Sequence, residues 1–92
     1  MNDKEYQYLK IPYDVVENKD ICPTSKLLYG KLLLLSHKHG YIHASNDYLA
    51  VLMNKKSRTI TRLLSELERY NFISIIGGRN FHRKIYLNVK NN

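Results

Sequence analysis

The apolar residues change their period once, near Asn71, and that change limits the fold more than any other feature. Ile60, Leu63, Leu64 and Leu67 recur at i, i+3, i+4 and i+7, the stripe of one helix face. From residue 72 onward the pattern alternates. FISII, then GGRN, then FHRKIYLNV predicts a β-hairpin, with Ile73 and Ile75 opposed to Ile85, Leu87 and Val89 on its inward face. Gly77 and Gly78 supply the backbone freedom of its turn.

Upstream, ICPTSKLLYGKLLLLSHKHG predicts a central helix. Pro23 suits its first position, Lys38 and His39 its last turn, and Gly40 a left-handed stop. Leu27, Leu28, Tyr29, Leu32 and Leu35 spread around much of its circumference, so it is expected to be well buried. YQYLKI, residues 6–11, alternates as a short strand before Pro12, and Asp14 to Asn18 suit a helical turn. YIHA, residues 41–44, reads as a brief extended stretch. Ser45 is an N-cap for a short helix with Tyr48, Leu49, Leu52 and Met53 at helical spacing, and Tyr48, like Tyr29 and Tyr70, is spaced for packing in the core. Asn54 takes the left-handed conformation of a tight turn, and Lys56 or Ser57 caps the next helix. Two helices joined by a tight turn and followed by a hairpin outline an α+β fold, the winged helix-turn-helix. It would have a three-helix core, a C-terminal hairpin wing and short additional strands. The 92 residues make one such domain, with its core over about residues 8–89.

Charge is segregated along this outline. Residues 1–53 hold six basic and six acidic side chains, whereas residues 54–92 hold nine basic ones against Glu66 and Glu68, so the whole net charge of +7 lies in the second part. One-sided charge on a small domain points to a polyanion as partner. On the basic helix, Arg58, Thr61, Arg62 and Ser65 fall opposite the leucine stripe, with Lys55, Lys56 and Ser57 at its start. Long cationic forks and short hydroxyls are the side chains that meet phosphates and base edges. A solvated helix face ordinarily mixes signs, and these first turns do not. Around the hairpin tip, Arg79, Asn80, Arg83 and Lys84 repeat the pattern, as phosphate contacts or as guards of a sheet edge. Double-stranded DNA is the expected partner, held by these eleven residues. A single domain of this size covers one half-site, so dimers or tandem binding on repeated sites are expected to supply specificity.

Other function classes find less support. Cys22 is the only cysteine, which excludes an internal disulfide and a cysteine-based zinc site. His37, His39 and His43 have no carboxylate or thiol partner in register, and neither a phosphate loop nor a nucleophile with its base is present. No cofactor, metal or enzymatic activity is expected. No apolar run reaches the roughly 18 residues of a membrane span, and MNDKEYQYLK lacks the apolar stretch of a signal peptide, so the expected location is cytoplasmic. Two rivals remain open: single-stranded nucleic acid stacked on Tyr6, Tyr8 and Tyr13, and a protein-interaction or inhibitor module whose basic face meets an acidic protein.

The stretch from IPYDVVENKD through KLLYGKLLLLS, YIHASNDYLA and RTITRLLSELERYNFI resembles the N-terminal helix-turn-helix domain of phage and plasmid replication initiators (replisome organisers). The likeness covers residues 11–87 and rests on motifs that many bacterial regulators share in part. It implies a winged helix, duplex DNA as ligand, a role in starting replication of a mobile element, and other replication proteins as partners. A small transcriptional regulator is the close alternative. Two departures stand out. Where the family's turn has Gly, a small apolar residue and a Ser or Thr cap, this chain has Asn54, Lys55 and Lys56. Such initiators also carry further domains, whereas this sequence ends after the wing.

Overall fold

The computed structural model describes residues 9–36, 40–77 and 82–88. Along them run α1 (Tyr13–Glu17), α2 (Pro23–Leu35), α3 (Asn46–Met53), α4 (Ser57–Arg69), β1 (Ile73–Ile76) and β2 (Lys84–Leu87). The basic helix is therefore α4. α1 is the turn expected after Pro12. It buries Val15, and its Val16 carbonyl accepts a hydrogen bond from the Lys26 ammonium on α2. The strand expected over residues 6–11 is not seen in residues 9–11, and residues 6–8 lie outside the described ones. Leu9 and Ile11 instead lie against Gly30, where an added Cβ would stand 3.1 Å from each. A glycine inside α2 weakens the helix but lets this segment approach closely.

α2 begins with Pro23 at its first position. It is central, but less enclosed than its composition suggests. Leu28, Tyr29 and Leu32 are buried while Leu27 and Leu34 are exposed, so its apolar circumference exceeds what its neighbours cover. α3 starts as expected: the Ser45 hydroxyl accepts from the Tyr48 amide at 3.1 Å. Tyr48 itself, expected in the packing, is 51% exposed, and Leu49 and Ala50 are the buried positions of this helix.

Asn54 closes α3 with φ 55° and ψ 47°, and the Lys55 amide reaches back to the Ala50 carbonyl at 2.9 Å. Asn71 (φ 63°) closes α4 in the same manner, with the Phe72 amide on the Leu67 carbonyl at 2.9 Å. Both are left-handed terminations that more often use glycine. Of the two cap positions considered for α4, the structure uses Lys56, and Ser57 is the first helical residue.

Ile60, Leu63, Leu64 and Leu67 of α4 are all buried, each contributing roughly 1.5–3 kcal/mol of apolar burial. The hairpin pairs Ile73 with Leu87 and Ile75 with Ile85, as the alternation predicts, while Val89 lies outside the described residues. YIHA contributes a third, very short strand, in which the Ile42 and Ile85 amides and carbonyls exchange bonds of 2.8 and 2.9 Å. At the entry to the wing, Gly77 has φ 103°, and a Cβ there would fall 2.7 Å from the His82 carbonyl oxygen. Only glycine fits.

Candidate nucleic-acid interface

The leucine stripe fixes the rotation of α4, and the opposite face follows from it. Arg58, Thr61, Arg62 and Ser65 are exposed together, with Lys55 and Lys56 exposed in the preceding turn and Ser57 half-buried. Lys56 makes no capping hydrogen bond through its side chain. The start of α4 thus lies beside three cations, and the partial positive charge of its first amides adds to the field.

Acidic side chains near this face are engaged elsewhere. Glu66 turns toward α2, where one carboxylate oxygen accepts from the Cys22 amide at 3.0 Å and the Ser25 hydroxyl at 2.6 Å. These bonds, that of Ser25 foremost, hold its pKa below the usual carboxylate value, and Arg62 adds a smaller effect of the same sign. Asp47, near the start of α3, accepts a hydrogen bond from the Ser57 hydroxyl. Asn46 donates to the Thr61 hydroxyl at 2.8 Å, and that hydroxyl donates in turn to the Ser57 carbonyl at 3.3 Å. Two of the hydroxyls expected to meet nucleic acid thus also clamp α3 onto α4. Sequence reasoning missed Asn46 and Asp47. Their position at a helix start beside a Ser cap was legible; their reach across to α4 was not.

The wing residues divide. Arg79 and Asn80 lie outside the described residues. Lys84 is exposed, and its ammonium sits 4.8 Å from the centre of the Tyr41 ring, which stacks on Tyr86 at 5.8 Å. Arg83, expected to grip a phosphate, is a correction: it is 7% exposed and points into the fold. Its Nε and one terminal nitrogen donate to the Ala44 carbonyl at 3.1 and 2.9 Å. Burial pushes its pKa down from the ordinary value. Position 83 neighbours the core residue Ile85 in strand alternation, so its side chain lies inward, and Arg83 braces the wing against the segment leading into α3.

α2, α3 and α4, the last two joined through a left-handed turn, with a hairpin packed on α4, make this a winged helix-turn-helix. The chain belongs to the helix-turn-helix domain family, whose model matches residues 19–73. Among solved structures, it is similar to the N-terminal domain of a DNA binding protein, with a TM-score of 0.72 and 19% identity over 92% of this chain and 76% of that one. It is also similar to the protein of a Rep–DNA complex, with a TM-score of 0.69 and 20% identity over 92% and 77% of the two chains. A third is MepR, a transcription regulator of the Staphylococcus aureus multidrug efflux pump MepA, with a TM-score of 0.61 and 20% identity. That match covers 80% of this chain and about half (52%) of MepR. At these identities the likeness is one of fold. No curated protein matches the chain. No helix among the described residues is long and apolar enough to cross a membrane.

Proposed function

We propose that this domain binds duplex DNA by placing α4 in a major groove and that it recognises a replication origin. The observation that carries the reading is the outward face of α4, where Arg58, Arg62, Lys55 and Lys56 are exposed while Glu66 is held against α2. Arg58, Arg62, Thr61 and Ser65 meet base edges and flanking phosphates, and Lys55, Lys56 and Ser57 hold the backbone beside the helix start. Lys84, with Arg79 and Asn80, extends the contact from the wing. The fold likeness to a Rep protein solved with DNA supports the initiator reading, as does the resemblance of its sequence motifs. The likeness to MepR supports a second reading, a transcriptional regulator working through the same face.

Titration of labelled duplex and single-stranded DNA across a salt series tests this. Tighter duplex binding with a steep salt slope is expected. Arg58→Ala and Arg62→Ala should each cost about 1–3 kcal/mol and relax sequence preference. Preference for repeated, origin-like sequence from the source replicon supports the initiator, and preference for promoter sequence the regulator. Equal or tighter binding to single strands refutes the duplex reading, and no binding to either at low salt refutes nucleic acid altogether.

A further inference from the structure

Asp47 has the wrong sign for its place. It is exposed in the first turn of α3, yet its carboxylate reaches the start of α4, where it accepts from the hydroxyl of Ser57, the residue between Lys56 and Arg58. The two acids of α4 itself are elsewhere: Glu66 is turned to α2, and Glu68 lies near the other end of the helix. A fixed carboxylate on a surface that meets a polyanion repels each phosphate it faces.

Tying α3 to α4 does not account for that charge. One residue earlier, the neutral Asn46 makes an equivalent tie to the Thr61 hydroxyl at 2.8 Å. A neutral amide at position 47 could likewise accept the Ser57 proton. A negative first turn does favour α3, but an acid turned away from α4 serves that purpose equally.

What the charge changes is the kind of group this corner can meet. A carboxylate only accepts, so Ser57 is the donor and its single hydroxyl proton is committed. The pair then presents lone pairs alone, on the Ser57 oxygen and on the Asp47 carboxylate. It has no proton for a phosphate, which leaves the backbone beside it to Lys55 and Lys56. In a major groove the donors it can accept from are the exocyclic amines, N4 of cytosine and N6 of adenine. O6 of guanine and O4 of thymine are acceptors and are repelled.

We propose that Asp47, with the Ser57 hydroxyl fixed against it, is a specificity-determining residue. It selects cytosine or adenine at one position of the bound duplex and disfavours unrelated sequence by repulsion. This role rests on the reading that α4 lies in a major groove. Discrimination needs a penalty on wrong partners as well as contacts to the right one, and among the cations of this face Asp47 supplies the penalty.

The test begins with a duplex selected by the native chain from a randomised pool, each base pair then being replaced in turn. At one position, cytosine or adenine on one strand should bind about tenfold more tightly than guanine or thymine. Asp47→Asn, which keeps an acceptor for Ser57, should abolish that preference and retain those at the other positions. It should also bind duplex of unselected sequence several-fold more tightly. Asp47→Ala should behave alike, with circular dichroism melts to show that both variants fold, and the base replacements on the native chain require no variant. If the native chain prefers an amine-bearing base nowhere, or if Asp47→Asn alters all duplexes by one common factor, the role of Asp47 is overturned while duplex binding stands. If the native chain binds no duplex, the major-groove reading falls and Asp47 with it.

Discussion

The N-terminus of α2 is closed from within the fold, and that of α4 is left open. At α2 the Glu66 carboxylate, reaching over from α4, takes up the Cys22 amide and the buried Ser25 hydroxyl. A negative group at a helix start is favourable, and here it also ties two helices together. At α4 the Lys56 side chain makes no cap hydrogen bond, and Lys55, Lys56 and Arg58 outnumber the one carboxylate there, that of Asp47 on the Ser57 hydroxyl. Each such charge works against the helix by about 0.3–1 kcal/mol. One helix start is arranged for stability. The other accepts instability, and an external polyanion would relieve it.

The difference can be broken from either end. Glu66→Ala should have the largest effect on folding, about 1–3 kcal/mol by chemical denaturation, because the Ser25 hydroxyl loses its acceptor inside the fold. Duplex affinity per folded molecule should change little. Arg83→Met should destabilise on the same scale by leaving the Ala44 carbonyl unpaired, yet leave the salt slope of DNA binding unchanged. A slope lowered by about one phosphate contact would instead return Arg83 to the interface. Lys56→Asp sharpens the contrast most directly, since it installs the missing cap. The fold should gain about 1 kcal/mol while duplex binding weakens and its salt slope falls.

Acid titration gives a smaller, more specific reading. The pKa of Glu66 is lowered in the folded chain, so its contribution is complete above the unfolded value near 4.5 and is lost as pH falls through the folded value below it. The stability curve of Glu66→Gln should therefore lie closer to that of the native chain at low pH than at neutral pH.

Local features were legible in the sequence. The Ser45 cap, the left-handed Asn54, the stripe of α4 and the hairpin register each depend on neighbours a few residues away, and the structure bears them out. What escaped was long-range. Glu66 meets partners 44 and 41 positions distant, and Arg83 one 39 positions distant; alternation with Ile85 marks the side of Arg83, but nothing local marks the partner of either. Tyr48 is exposed for a related reason: its spacing fits a helical face, but which face is covered depends on α4. A formal charge count cannot separate cations available to a partner from those already holding the fold, which is why Arg83 was grouped with Lys84.

The clamp between α3 and α4 bears on what Thr61 has to offer. Its proton goes to the Ser57 carbonyl and one lone pair accepts from Asn46, so the polar end of the side chain is largely committed. If α4 enters a major groove as proposed, the γ-methyl would be the principal contact left, and the partner it suits is the C5-methyl of thymine. Thr61 would then sense methylation of a pyrimidine rather than a hydrogen-bonding edge. Exchanging thymine for deoxyuridine at one position of the bound site should weaken the native chain and leave Thr61→Ser almost indifferent.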